Sequence, residues 1–133
     1  MGRTEKFKQK LKKITGRSNA MSMEQRSIKL RQCIVGWVNY FGMAEMKVIA
    51  KALDEWLRRR IRMCFWKQWK KIGTKHDGLV KLGLDNHKAW EYANTRKGYW
   101  RIANSPILAL TLTNGYLKKI GFVTISERYS LVH

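Results

Sequence analysis

Proline, cysteine and acidic residues are scarce in this chain of 133 residues. It contains 1 proline and 2 cysteines, and 9 aspartate and glutamate residues stand against 28 lysines and arginines. A chain with so little proline can form long helices without interruption. Cys33 and Cys64 have no CxxC spacing, which indicates reduced thiols of a cytosolic protein and argues against a disulfide framework or a zinc site.

Long apolar runs and common catalytic motifs are also absent from the sequence. No apolar stretch approaches the roughly 20 residues that span a bilayer, and residues 1–13 lack the apolar core of a signal peptide. There is no P-loop, no dinucleotide-binding glycine motif, no HExxH and no GxSxG. His76, His87 and His133 are scattered, and no aspartate pair suits two-metal nucleotidyl transfer. We therefore predict no catalytic residue, no metal site and no cofactor.

Positive charge dominates what the chain does contain. The formal net charge is +19, while hydrophobic residues make up 44% of the sequence, which is enough for a folded core. Self-repulsion destabilises a compact state with this imbalance, and a phosphate backbone or an anionic membrane surface would relieve it. The composition therefore predicts a folded protein that binds a polyanion.

Helical periodicity in the first half of the chain predicts three longer helices. The first covers residues 4–14, and the third covers residues 47–71. Before the second helix, Ser22 and Gln25 are spaced as a capping box, and Gly42 is expected to end that helix. The side chains predicted to face the core are Phe7, Leu11, Ile14, Met23, Ser27, Leu30, Ile34, Trp37, Val38, Phe41, Ile49, Leu53, Leu57, Ile61, Cys64 and Phe65.

The second half is more broken and predicts shorter helices. Gly73 is expected to end the third helix. A short helix is predicted over residues 77–83, followed by a helix that Asp85 or Asn86 caps and that has Ala89, Trp90 and Ala93 on its apolar side. Residues 97–101 are predicted to form a loop. A further helix is predicted from Ser105 and Pro106 to Gly121, and β-like patches over residues 122–133. These patches are too short for a sheet. We therefore predict an all-α fold, with a three-helix bundle over residues 1–74 and a smaller, irregular helical appendage over residues 75–133.

The third helix carries the strongest signal for a binding surface. At 3.6 residues per turn, a group of cations and indoles projects opposite the apolar stripe of that helix. This group consists of Arg58, Arg59, Arg62, Trp66, Trp69 and Lys70. Guanidinium groups match phosphate oxygens, and an indole offers a flat face to a base. At least one of the two tryptophans is expected to be structural, and so is Arg60, which falls on the apolar side. Lys67 and Lys71 are predicted as further phosphate contacts.

A second basic and aromatic segment surrounds Gly98, and its composition suits single-stranded or irregular RNA. The residues predicted to contact RNA there are Arg96, Lys97, Tyr99 and Arg101. Tyr99 is the stacking candidate, whereas Trp100 is interpreted as an anchor to the core. The lysine-rich first helix could touch phosphates or lie on an anionic membrane surface. Its narrow apolar face favours packing on the domain.

Several blocks of sequence resemble the maturase-specific region of bacterial group II intron reverse transcriptases. They are Gly36–Gly42, Leu53–Arg60, Trp66–Lys71, Lys81–Gly83, Lys88–Trp90, Ala93–Arg101 and Asn104–Pro106, which follow in the family's order. The resemblance implies a helical bundle called domain X or the thumb. This domain is implied to grip the intron RNA and the template–primer RNA/DNA duplex and to help the intron fold, while the intron RNA performs the splicing chemistry.

The chain also departs from that family, since it has neither the YxDD motif of the polymerase palm nor the fingers. The Cys/His-containing endonuclease domain of some relatives is missing too. We therefore expect a fragment of a longer bacterial, cytoplasmic protein that has no polymerase activity by itself, although the parent polymerase would need Mg²⁺. The alternative function is a basic helical module that mediates protein or anionic-membrane association. The oligomeric state stays open.

Overall fold

Helices joined by short connections make up the described part of the chain. The structure is a computed structural model that describes residues 3–16, 20–41 and 44–132. Within these ranges there are nine helices and no strand, so the all-α prediction is confirmed. The helices are α1 (Arg3–Ile14), α2 (Met23–Phe41), α3 (Ala44–Gln68), α4 (Ile72–Lys81), α5 (Asn86–Ala93), α6 (Tyr99–Ala103), α7 (Pro106–Thr111), α8 (Asn114–Lys119) and α9 (Ile125–Val132).

The predicted apolar faces of the first three helices form a core. All of the predicted core residues whose side chains are described are buried or half-buried. The capping box is confirmed, because the N–H of Ser22 donates to Oε1 of Gln25 and the N–H of Gln25 donates to Oγ of Ser22, both at 3.1 Å. The side chain of Phe41 and the expected stop at Gly42 lie outside the described residues.

The C-terminal helix completes this first core. Ile125 and Tyr129 of α9 are buried together with Leu11 of α1, Ile34 of α2 and Leu57 of α3. The prediction of β-like patches in the tail is wrong over residues 125–132, which are helical. A contact that is distant in sequence accounts for this, since the buried Asp54 carboxylate accepts N–H bonds at the start of α9. The division of the chain at residue 74 stays a prediction.

A second core lies where the end of α3 meets the following helices. It gathers Trp66 of α3, Leu79 of α4, Ala89 of α5, Ile102 of α6 and Leu108 of α7. This core decides how the second half of the chain is arranged, and it places α6 along α3.

The third helix is shorter at its C-terminal end than predicted. It ends at Gln68, and Gly73 lies inside α4 instead of stopping α3. The turn brings Gly78 under the ring of Trp69, where an added Cβ would lie only 2.8 Å from two ring carbons. Packing of an indole against a glycine therefore fixes the α3–α4 turn. The position of Gly73 in the sequence did not predict where this turn lies.

For the later helices, the predicted capping residues are correct, whereas several predicted helix bounds are wrong. Asp85 caps α5 through the N–H groups of His87 and Lys88, and Ser105 caps α7 with Pro106 in its first turn, as predicted. Residues 99–103 form helix α6, so the predicted loop is wrong there. The single helix to Gly121 is also wrong, because it breaks after Thr111 and Thr113 caps α8 through the N–H of Tyr116.

Candidate nucleic-acid interface

Three of the predicted phosphate contacts lie together in one cleft. Arg58, Arg59 and Arg62 of α3 form one wall of a cavity of about 650 Å³. The remaining lining residues are Glu55, Asn104, Ala109, Thr113, Asn114 and Gly115. We call this cavity the arginine cleft. Since the second wall comes from residues 104–115, the cleft exists only in the folded chain.

Main-chain carbonyls of the second half of the chain hold two of these arginines. Arg59 donates from Nε and Nη2 to the carbonyl oxygen of Trp100, at 3.0 and 2.7 Å. Arg62 donates from Nε to the carbonyl of Leu112 at 2.9 Å and from Nη2 to Oδ1 of Asn114 at 2.8 Å. Both side chains therefore link α3 to later helices, a structural role that the sequence interpretation did not include.

The same arginines keep donors that can face an anion. A guanidinium has five N–H donors, and within the described ranges no acceptor pairs with Nη1 of Arg59 or Arg62. Burial, and to a smaller extent the charge of Arg58, lowers the pKa of the Arg62 guanidinium. Arginine stays protonated in proteins, so Arg62 holds its charge in a partly buried place beside a second cation, where a phosphate would stabilise that charge.

Both predicted stacking indoles of α3 pack against the second core. Trp66 is only 2% exposed, so the prediction that it projects to solvent is wrong. Trp69 is half-buried, lies edge-on to Trp66 at 6.2 Å between ring centroids, and covers Gly78. The second core reaches around α3 to the side that helical phase assigned to solvent, which is why both indoles pack there. The expectation that at least one of them is structural is confirmed.

The remaining predicted contacts are dispersed. Lys70, Lys71, Arg96 and Lys97 are exposed and Lys67 is half-buried, and none of them lines the arginine cleft. Arg60 is structural as predicted. It donates from Nε to Oγ1 of Thr15 and from Nη2 to the carbonyls of Lys12 and Thr15, at the C-terminal end of α1.

A second cavity, of about 730 Å³, lies between α1, α3 and the start of α6. We call it the aromatic groove. Its lining residues are Glu5, Lys8, Gln9, Lys12, Trp56, Arg60, Met63, Gly98, Tyr99, Trp100 and Arg101. Of the predicted contacts, only Tyr99 and Arg101 lie here. Tyr99 is half-buried and packs against the second core, which contains Trp66, and against a smaller buried cluster that contains Met63. Most of its ring therefore contributes to packing.

Sequence interpretation missed several residues of the two cavities. Asn104 and Asn114 line the arginine cleft, and Trp56 faces the aromatic groove although helical phase assigned it to the apolar side. The predicted anchoring of Trp100 to the core is wrong, because Trp100 is 37% exposed, stacks with Arg59 and lines the groove. The sequence did contain one signal for Asn114: Thr113 is a typical helix-capping residue, so it could have indicated that a new helix begins after Thr111 and places Asn114 at the cleft.

Comparison with known protein families identifies the chain. The model of the group II intron maturase-specific domain matches residues 4–83, which is more than half of the chain. The chain belongs to this family. No curated protein matches it. The matched residues of this maturase domain include α1 to α4, and therefore all three arginines of the cleft. Trp100, Leu112 and Asn114, which hold two of those arginines, lie beyond the match.

The described residues also limit the metal sites and the membrane-spanning helices that this part of the maturase domain can form. In residues 3–16, 20–41 and 44–132, no group of three or more His, Cys, Asp or Glu side chains could hold a metal ion. The helices of this part of the chain include none that is both long and apolar enough to cross a membrane.

Proposed function

We propose that this maturase domain binds the folded RNA of a group II intron and thereby assists the folding and splicing of that RNA. The observation that carries the proposal is the arginine cleft, where three guanidinium groups of one helix line one wall of a single cavity. Main-chain carbonyls hold Arg59 and Arg62 in place before any ligand arrives. Preorganised donors lose little side-chain entropy on binding, and arginine matches phosphate geometry with two parallel bonds.

Arg58 is the residue that tests this proposal most cleanly. It lines the cleft, and within the described ranges it makes no hydrogen bond or ion pair, so its removal should leave the fold intact. We expect Arg58→Ala to weaken binding of a structured group II intron RNA by roughly 10- to 100-fold, the order of one charge-assisted hydrogen bond. The slope of log affinity against log salt should fall by about one. Filter binding over a salt series measures both quantities.

Lys81→Ala is the matched control, because it removes one exposed cation at the end of α4, outside both cavities. Its RNA affinity should stay within about two-fold of the unmodified chain, which is the size of effect that one distant, screened charge has. If Arg58→Ala and Lys81→Ala behave alike, the arginine cleft is not the phosphate site. Pelleting with anionic liposomes in the absence of RNA, if lost in Arg58→Ala, would instead favour membrane association.

We further propose that in a longer parent protein this domain acts as the thumb of a reverse transcriptase, beside a template–primer duplex. The basic surface and the family membership support this role. The polymerase residues and their Mg²⁺ would then come from the rest of the parent. A primer-extension assay with this chain alone should therefore show no nucleotide incorporation, and incorporation would overturn this assignment of roles.

A further inference from the structure

We propose that the aromatic groove binds an unpaired nucleotide of RNA, with the base against Trp100 and the adjoining phosphates near Lys12 and Arg101. This inference rests on the proposed function and names a second, chemically different RNA site. The arginine cleft offers charge, whereas the groove combines charge with aromatic surface. Nothing in the match to the maturase-specific domain assigns a role to Trp100 or Arg101, which lie beyond the matched residues.

Arg59 holds the aromatic wall of the groove in place. Arg59 stacks on the Trp100 ring, with its guanidinium carbon 3.7 Å from the ring centroid, and also binds the Trp100 carbonyl. The exposed part of the indole lines the groove. A ring that is already fixed loses little conformational entropy when a base stacks on it.

Cations stand around the aromatic surface. The ammonium of Lys8 lies 4.9 Å from the centroid of the Trp56 ring, and the guanidinium carbon of Arg60 lies 5.6 Å from it. Among the described residues, no side chain pairs with the ammonium of Lys12 or the guanidinium of Arg101. Two charged groups without partners at the edge of an aromatic groove suit the phosphates that flank a stacked base.

Glu5 and Gln9 distinguish a nucleotide from other anions. Both line the groove, and both can accept hydrogen bonds from the exocyclic amino group of a base. The Glu5 carboxylate would repel the carboxylates of an acidic peptide and the phosphates of RNA alike, so it favours an amino-bearing base over any anionic group at this position. A paired duplex does not expose base faces to a groove of this kind, so the ligand is an unpaired residue.

The groove and the arginine cleft adjoin at one contact. Arg59 lines the cleft, Trp100 lines the groove, and the two residues touch. An RNA strand that leaves a duplex near the three arginines can therefore continue across this contact and place its first unpaired base in the groove. Bulges and duplex ends of a folded RNA provide such a strand.

Two RNA duplexes with the same number of phosphates test this inference. One carries a single bulged adenosine, and the other has an abasic residue at the same position. We expect the full chain to bind the adenosine duplex about 10-fold more tightly, the order reported by alanine substitution of stacking side chains. Trp100→Ala should reduce that ratio to about one, whereas Trp100→Phe should keep most of it because a ring remains.

Arg58→Ala separates this inference from the proposed function, since it should weaken binding of both duplexes equally and leave their ratio unchanged. Failure of the unmodified chain to bind structured group II intron RNA would overturn the proposed function, whereas failure to bind either duplex by a chain that binds that RNA would overturn the inference about the groove. Binding of both duplexes with equal affinity would overturn only the inference about the groove. A ratio that survives in Trp100→Ala, with unchanged helical circular dichroism, would exclude Trp100 as the stacking residue.

A second measurement needs no variant at Trp100. A 2-aminopurine in the bulge should lose fluorescence when the unmodified chain binds, because stacking on an indole quenches it. Unchanged fluorescence at saturation would overturn the inference. Poly-glutamate should not displace the adenosine duplex at concentrations where an equal length of single-stranded RNA does. Equal displacement by both polymers would indicate that the groove takes an acidic peptide instead.

Discussion

The guanidinium group of Arg59 meets Trp100 in two ways at once. It stacks on the indole at 3.7 Å from the ring centroid, and it donates two hydrogen bonds to the carbonyl of the same residue. Only a planar, forked cation can make both contacts from one position. A side chain of α3 thus fixes a short helix 41 residues later, and this contact joins the two cavities of the maturase domain.

Replacing Arg59 with lysine should therefore destabilise the domain, although the charge is conserved. Lysine cannot reproduce both the forked hydrogen bonds and the stacking, and we expect a loss of about 1 kcal/mol in the free energy of unfolding. Arg58→Lys is the matched control, since Arg58 makes no such contact, and it should stay within about 0.5 kcal/mol of the unmodified chain. Urea denaturation measures both. Equal destabilisation of the two variants would contradict a structural role for Arg59.

The two glycines of α4 should respond to alanine with opposite signs. At Gly78 an added Cβ would meet the Trp69 ring at 2.8 Å, and we expect Gly78→Ala to cost about 1–3 kcal/mol of stability. At Gly73 nothing lies within 4 Å, so Gly73→Ala should stabilise by up to about 1 kcal/mol through helix propensity. Thermal unfolding of both variants checks the signs. If Gly78→Ala leaves the stability unchanged, the contact between Gly78 and Trp69 does not hold the α3–α4 turn.

The carboxylate of Asp54 should be essential for the docking of α9. It is buried and accepts N–H bonds from Ile125 at 2.7 Å and Ser126 at 3.1 Å, so it caps a helix from across the core. Asp54→Ala leaves two N–H donors without an acceptor, and we expect a loss of about 2–3 kcal/mol. Glu55→Gln, at the exposed neighbouring position, should change stability by less than about 0.5 kcal/mol. Hydrogen exchange at Ile125 and Ser126 should accelerate only in Asp54→Ala.

The two thiols should react slowly, and in a fixed order. Burial raises the pKa of both Cys33 and Cys64, against the opposing effect of nearby cations. The thiolate is the reactive form, so alkylation by iodoacetamide near pH 8 should be slower than that of a free thiol. Half-buried Cys33 should react before the buried Cys64. Mass spectrometry over time gives the order, and faster reaction at Cys64 would contradict its burial.

The same pKa shifts predict how stability depends on pH. A thiol whose pKa is higher in the folded state than in the unfolded state binds its proton more tightly when folded. Its contribution to stability is therefore fully present below the unfolded-state pKa and is lost as pH rises through the folded-state pKa. We expect the free energy of unfolding to fall in the alkaline range, and Cys64→Ser should reduce that fall. Urea denaturation at several alkaline pH values measures it.

The sequence predicted correctly those features that depend on residues close together in the chain. The apolar stripes of α1 to α3, the capping box at Ser22 and the caps at Asp85 and Ser105 depend on residues within one or two turns of each other, and all were predicted. The end of α3 depends on a partner nine residues away, and helices α6 and α9 depend on partners 41 and 72 residues away. Trp69 meets Gly78, Arg59 meets Trp100 and Asp54 meets Ser126, and no local pattern contains these pairs.

For the binding surface, the sequence by itself determined the charge, the residue types and the helix that carries the arginines, because composition and helical period follow directly from residue order. Only the tertiary structure decided which of those groups act together. Folding buried Trp66, joined Arg58, Arg59 and Arg62 to a wall supplied by residues 104–115, and brought Trp56 and Trp100 into one groove. The physical reason is that helical phase fixes a direction around one helix axis, whereas burial depends on which distant helix packs against that direction.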